Sequence, residues 1–214
     1  MDETALPLAR HQMVWVDPQG WRTTIAAHPL LSSDTLVADW AALGRPLIAR
    51  SAMCDDAVGR VPLGLPLPPA YGKRRLSFQL LPEMIVKIGP PPRLADAADV
   101  APASWQSTIA AILALAPDTR CFGSLAWQHL TGLPYLAEGS DLDLLWRVTS
   151  SQYADQLADG LADIADDAPM SVDGELVTAA ERAVQWREWH SGSPELIVKS
   201  VGRVEMTDRA GAFA

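Results

Sequence analysis

The run Asp141–Val148, DLDLLWRV, constrains this chain more than any other stretch. Alternation puts Asp141, Asp143, Leu145 and Arg147 on one face. Leu142, Leu144, Trp146 and Val148 fall on the other, the pattern of a strand half-buried against a core. Two carboxylates two residues apart on one strand face have Cα atoms roughly 6.6 Å apart. From that spacing they can converge on one metal, or bridge two metals about 3.5–4 Å apart. Such a pair suits Mg²⁺, a hard cation that takes one or two carboxylates and completes its shell with substrate phosphates. Asp141 and Asp143 are therefore the candidate metal ligands, in a two-metal site.

A Gly-Ser pair, Gly123-Ser124, precedes this strand. The glycine permits a tight turn and a close approach to a ligand. The following SLAWQHL reads as a short helix with Ser124 as its N-cap. A helix N-terminus offers free N–H groups and a positive dipole end, which attract phosphate oxygens. Gly123 and Ser124 are thus candidate phosphate-binding residues. The order apolar-Gly-Ser, short helix, Asp-apolar-Asp-apolar resembles the signature of the DNA polymerase beta-type nucleotidyltransferase superfamily. Sixteen residues lie between Ser124 and Asp141, somewhat more than the commonest spacing there. A third carboxylate is expected on the strand after the next helix. VDGEL offers Asp173, the favoured candidate, and Glu175, on one face by alternation. Its role would be general base or shared metal ligand.

The chain has 214 residues and a formal net charge of −9. That acidity argues against general nucleic-acid binding, which needs a basic surface. The charge is uneven. Residues 1–100 balance at zero, residues 101–214 carry the whole excess, and residues 45–93 hold eight basic and three acidic side chains. A positive segment on an otherwise acidic protein suits a polyanionic small ligand or an acidic protein partner. Arg50, Lys73, Arg74 and Arg75 are the candidates for that contact, with Arg187 and Lys199 next. No apolar run approaches the 18 or so residues that span a bilayer, so no membrane association is expected. The N-terminal MDETALPLARHQ lacks the basic and apolar regions of a signal peptide, which implies a cytoplasmic protein. The two cysteines, Cys54 and Cys121, form no zinc or disulfide framework, and Cys121 reads as a core residue.

Strands are expected at Gln12–Val16, Pro46–Arg50, Leu76–Leu80 and Met84–Ile88, the last two paired as a hairpin. A helix is expected over Asp34–Leu43, capped by Ser33 or Asp34 and stopped at Gly44. Four prolines between 62 and 69 predict a stiff extended segment there without regular structure. Gly89 and the prolines after it, with ADAADVAPAS, read as a turn and linker. Beyond it Ser104 is placed to cap a helix ending before Pro117. Ser151–Asp167 reads as an amphipathic helix with Tyr153, Leu157, Leu161 and Ile164 inward. Strands follow at Met170–Val177, Val184–Trp189 and Leu196–Val201. The expected fold is α+β: a smaller strand-rich N-terminal domain over 1–95, read as the recognition domain for substrate or an acidic protein partner, then a mixed-sheet nucleotidyltransferase catalytic domain over 96–214.

The segments GRPLIAR, VPLGLPLPPAYGKRRLSFQL, FGSLAWQHLTGLPYLAEGSDLDLLW, VDGELV and VQWREW together resemble the malonate decarboxylase holo-acyl-carrier-protein synthase family, also named phosphoribosyl-dephospho-CoA transferase. The resemblance covers most of the chain. It implies transfer of a prosthetic group from triphosphoribosyl-dephospho-CoA to a serine of the acyl carrier protein subunit of malonate decarboxylase, with release of diphosphate. It also implies that Asp141 and Asp143 hold Mg²⁺ and that Gly123 and Ser124 cradle the leaving diphosphate. The alanine-rich TAAERA before VQWREW leaves the register of the third acid open. Other readings of the same motifs are the related transferase serving citrate lyase, an adenylating nucleotidyltransferase, and an inactive nucleotidyltransferase fold used as a binding module.

Overall fold

A computed structural model describes residues 8–213. Residues 1–7 and 214, including most of the acidic N-terminal stretch read for sorting, lie outside the described residues. The chain divides into two compact units, Met1–Pro90 and Pro91–Ala214. The fold class is α+β, as expected, with a strand-rich first unit and a mixed sheet in the second.

The first unit comprises β1 (Met13–Val16), α1 (Pro18–Ala26), α2 (Thr35–Ala38), β2 (Leu47–Ala49), β3 (Val61–Pro66), β4 (Arg75–Leu80) and β5 (Ile85–Gly89). Its strands form an antiparallel sheet in the order β4-β3-β2-β1-β5. Helix α1 was not anticipated, although its start is written in Asp17-Pro18. The Asp17 carboxylate accepts from the Gly20 N–H at 2.6 Å, and proline opens the first turn. The expected helix over 34–43 is regular only as α2, capped by Asp34.

Two expectations for this sheet fail. The proline-rich segment is a regular internal strand, β3, with Val61, Leu63 and Leu65 buried. The Arg50 N–H donates to the Pro62 carbonyl, so the backbone polar groups of Pro62, Gly64 and Pro66 point toward β2. That strand is only three residues long, and its partner there is Gly64, which keeps its donor. The prolines fall where little ladder is lost. Nor do β4 and β5 form a hairpin, because they occupy opposite edges of the sheet. The link from Leu80 to Ile85 includes a 3₁₀ turn at Pro82–Met84 and spans roughly 13 Å. Four inter-strand gaps of a flat sheet would need about 19 Å. The sheet therefore curls to bring its edges toward each other.

The second unit comprises α3 (Leu94–Ala97), α4 (Gln106–Leu115), β6 (Arg120–Cys121), α5 (Gly123–Thr131), β7 (Leu142–Arg147), α6 (Ser151–Asp166), β8 (Val172–Val177), β9 (Ala183–Gln185), α7 (Trp186–His190), β10 (Leu196–Ser200), β11 (Arg203–Thr207) and α8 (Arg209–Ala212). Its sheet runs β11-β10-β9-β8-β7-β6. Only β7 and β8 are parallel, joined through α6 as a βαβ unit. One sheet face presents Leu142, Leu144, Trp146, Val172, Leu176, Val184 and Val198 to the helices and builds the main core. Fully burying one such leucine or tryptophan contributes roughly 1.5–3 kcal/mol, which fixes the strand register against slippage.

The other face of the sheet carries Asp143, Asp173, Glu175, Gln185 and Lys199, alternating with the core residues of their strands. The apolar alternation of β7 thus dictates where its carboxylate points. The expected linker after Pro92 is instead helical, because Leu94 and Ala97 are both wholly buried in this core. Ser104 lies in a 3₁₀ turn and caps nothing, and α4 begins at Gln106 without a side-chain cap. On α6, Ala154 and Ala158 rather than Tyr153 join Leu157 and Leu161 inside. The strand expected over 184–189 stops at Gln185. The Gln185 side chain accepts from the Glu188 N–H at 2.9 Å, starting α7, whose Trp186 and Trp189 are one turn apart and both buried. Among the described residues, no helix is long and apolar enough to cross a membrane.

Candidate active site

Gly123 is where the chain turns from β6 into α5. Its φ is +63°, a conformation that costs other residues strain. A Cβ placed there would lie 1.8 Å from the Asp143 Oδ2. The Phe122 N–H donates to the Asp143 carbonyl at 2.9 Å, and Cys121 pairs with Leu144. Strand pairing and the missing side chain together lay the Asp143 carboxylate against the first residue of α5. The cap differs from expectation: Phe122, with extended backbone, is the N-cap, and Ser124 is the second helical residue. The Phe122 side chain makes no cap bond, so the first N–H groups of this nine-residue helix take their partners from elsewhere. The expected glycine–serine turn is thus next to an acid of the expected pair.

Asp173 is the register partner of Asp143 on the parallel neighbour β8. Adjacent strands are about 4.8 Å apart, so the two side chains leave the same sheet face side by side. Asp173 Oδ1 accepts from the Gln185 Nε2 at 2.7 Å and from the Gly174 N–H at 2.8 Å. Gln185 holds Asp173 with its amide nitrogen while its oxygen caps α7, so both ends of the amide are fixed. Sequence reasoning missed this glutamine; its place beside Asp173 comes from the β8–β9 register, which no local pattern encodes. It missed Gly174 too. A Cβ there would lie 2.4 Å from the Leu144 carbonyl oxygen and 2.6 Å from the Trp146 ring. Glycine is required for β8 to run this close to β7.

Glu175 is one rung further along β8, opposite Leu145 rather than Asp143. It is 6% exposed and pairs with Lys199, whose Nζ is 3.7 Å from its Oε1. Asp141 immediately precedes β7 and is exposed. Among the described residues, no three His, Cys, Asp or Glu side chains converge on one point in a metal-holding cluster. A magnesium ion does not require three protein ligands, since it keeps waters and takes substrate phosphate oxygens. The donor set fits that ion: carboxylate oxygens from Asp143 and Asp173 on neighbouring strands, Asp141 at the start of β7, and a helix N-terminus for phosphate. Cys121 is nearby in sequence but is wholly buried, and burial pushes its thiol up to about 12. It stays protonated at neutral pH and is unsuited to hold a metal.

The basic candidates have different surroundings. Arg50 is committed to a two-pronged ion pair with Asp56, with N···O distances of 2.7 and 2.6 Å. That guanidinium and the Met53 N–H hold the Asp56 carboxyl down to about 2. Lys73, Arg74 and Arg75 are all exposed. They follow Gly72, and Lys73 itself has a φ of +52°. Arg74 reaches Asp34 at 3.4 Å, a pair of small energetic weight at this exposure. Arg187 donates to the Val172 carbonyl and stacks over Trp186, and is thus built into the fold.

Comparison with known proteins covers both units. Residues 9–91 match the family described as phosphoribosyl-dephospho-CoA transferase MdcG N-terminal domain, and residues 93–210 match its C-terminal domain. A protein of Bradyrhizobium diazoefficiens named phosphoribosyl-dephospho-CoA transferase is 42% identical over 207 residues, covering 95% of this chain and 91% of the relative. A Xanthomonas euvesicatoria protein of the same name is 35% identical over 210 residues, covering 95% and 96%. One from Pseudomonas putida is 32% identical over 200 residues, covering 89% and 88%. No solved structure matches the chain.

Proposed function

We propose a reaction on one premise: the chain belongs to the phosphoribosyl-dephospho-CoA transferase MdcG family. It is a transferase. The reaction proposed is transfer of the phosphoribosyl-dephospho-CoA group from 2'-(5''-triphosphoribosyl)-3'-dephospho-CoA to a serine of the malonate decarboxylase acyl carrier protein, in the cytoplasm. The observation that carries this reading is the abutment of Gly123 on Asp143, with Asp173 in register beside it. That arrangement joins an anion-binding helix end to paired carboxylates, the parts phosphoryl-group transfer needs.

In this reading the acceptor serine oxygen forms a bond to the α-phosphorus as the bond to diphosphate breaks. Asp173 accepts the serine proton, with Gln185 fixing the carboxylate in place. Asp141 and Asp143 would hold Mg²⁺, which when bound neutralises charge on the phosphates. The N–H groups of Gly123 and Ser124 at the start of α5 hold the departing diphosphate. Lys73, Arg74 and Arg75 supply attraction for the polyanionic donor or an acidic carrier.

The test is mass spectrometry of apo carrier protein incubated with this enzyme, the donor and Mg²⁺. The expected product is the carrier enlarged by one phosphoribosyl-dephospho-CoA group on serine, with one diphosphate released per modification. Modification from ATP instead, or an unmodified malonate decarboxylase carrier beside a modified citrate lyase carrier, would overturn the assignment.

A further inference from the structure

One cavity meets the reaction just described only at Asp141. A cleft of about 630 Å³ opens at the N-terminal ends of β7 and β8. Its walls come from the approach to α4, the connector that leads into β7, and the turn before β8. The volume is within the usual range for a small-molecule site. Asp141, assigned above to the metal, is one of its wall residues. The cleft therefore adjoins the reacting centre while being separate from the Gly123–Asp143 contact.

The chemistry of the walls is selective. They contain no lysine, arginine or histidine. Their ionisable groups are Glu138 and Asp141, and their apolar side chains include Trp105, Leu136 and Met170. Away from Asp141, where Mg²⁺ would be held in the reading above, the wall has Glu138 and no cationic side chain, which disfavours phosphate. Carboxylates accept hydrogen bonds from sugar hydroxyls and from an exocyclic amine, and the Ser104 and Ser171 hydroxyls can donate or accept. The Ser140 hydroxyl accepts from the Ala137 N–H at 2.9 Å, which shapes the connector, and keeps its O–H as a donor. Such a surface fits an uncharged ligand with one apolar, ring-shaped part and several donors, which describes a nucleoside.

We propose that this cleft is the nucleoside subsite of the donor. It takes the ribosyl-adenosine portion and leaves the phosphates outside, toward Asp141 and α5. The proposal rests on the donor assigned above. In that donor the triphosphate is attached directly to a ribose, and that ribose to adenosine. The uncharged part contiguous with the reacting phosphorus is therefore ribosyl-adenosine. The pantetheine arm lies beyond a further diphosphate, which would have to cross the acidic wall to place pantetheine here.

The test is calorimetric titration of the full-length protein with adenosine, with pantetheine, and with inorganic diphosphate plus Mg²⁺. Two exposed wall residues are changed, Glu138→Gln and Ser171→Trp, each checked for an unchanged melting temperature. Adenosine is expected to bind the wild type and pantetheine not. Glu138→Gln is expected to weaken adenosine about tenfold, the loss of one charge-assisted hydrogen bond. Ser171→Trp fills the cleft and is expected to weaken adenosine at least tenfold, while both variants keep diphosphate affinity. Absence of adenosine binding, adenosine binding equal in wild type and both variants, or pantetheine as the ligand displaced by Ser171→Trp would each overturn the subsite. The transfer assay separates this from the reaction itself. If the enzyme modifies no carrier but the wall variants still lose adenosine, the reaction fails and the nucleoside subsite stands. If transfer proceeds and the wall variants leave adenosine untouched, the subsite fails and the reaction stands.

Discussion

Replacing Gly123 with alanine tests the geometry at the junction of helix α5 and strand β7. Two costs arise. The backbone at 123 has a φ of +63°, and an L-residue in that region costs roughly 1–2 kcal/mol. The new Cβ would also be 1.8 Å from the Asp143 Oδ2, so the carboxylate must retreat by more than about 1 Å to reach van der Waals distance. Gly132 provides the control. It closes the same helix with a φ of +69°, and nothing lies within 4 Å of a Cβ there. Gly132→Ala bears the backbone cost alone, roughly 1–2 kcal/mol, or about 4–8 °C in melting temperature for a unit of this size. Gly123→Ala is expected to lose more stability than the control. Its transfer rate should fall at least 100-fold, since a misplacement of about 1 Å at a reacting centre costs that much. Gly132→Ala should transfer within a few-fold of wild type. The assays are thermal melts by circular dichroism and initial rates of carrier modification. If both variants transfer equally well, the reasoning that ties Gly123 to the position of Asp143 is wrong.

Gln185→Glu keeps the oxygen that caps α7 but loses the donor to Asp173. It should lower kcat by tenfold or more with little change in KM, whereas a purely structural defect would instead appear as a lower melting temperature. Neutralising Lys73, Arg74 and Arg75 together should raise KM for the donor or the carrier at low salt. The effect should shrink as added salt shortens the Debye length below about 8 Å, with kcat little changed. The Arg50–Asp56 pair gives a pH signature. Asp56 is depressed in the folded state to about 2, so its stabilising contribution is present above the ordinary aspartate value of about 3.9. That contribution is lost as pH falls through about 2. Denaturant titrations from pH 6 to pH 2 should show a stability decline below pH 4 that is smaller in Asp56→Asn.

Much of the second unit was legible because its signals are local. The alternation in LDLLWRV fixed which residues of β7 face the core, and so which face takes Asp143. The same argument one helix later put Asp173 and Glu175 together on one face of β8. Failures came where tertiary pairing overrides local preference. Prolines in β3 are accommodated because the neighbouring strand is only three residues long, a fact outside the segment. Strands β4 and β5 look like a hairpin in sequence, but the curled sheet gives each a different partner. VQWREW alternates like a strand, yet Gln185 caps a helix that buries Trp186 and Trp189. Alanine-rich 94–101 carries the composition of a linker, while Leu94 and Ala97 are wholly buried. At the site, register separates the surroundings of the two candidate acids: Asp173 is opposite Asp143, while Glu175 is opposite Leu145 and paired with Lys199.

The central claim is that Asp143, set against the N-terminus of α5, works in transfer to the carrier protein. The most direct measurement is the single-turnover rate of carrier modification by Asp143→Asn beside wild type, with saturating donor and Mg²⁺. Asparagine keeps the shape of the side chain and removes its charge, so the melting temperature should be unchanged or slightly higher, given the neighbouring Asp173. The predicted result is a fall in rate of at least 1000-fold, about 4 kcal/mol in the barrier. A folded Asp143→Asn variant that modifies the carrier within tenfold of the wild-type rate would contradict the account.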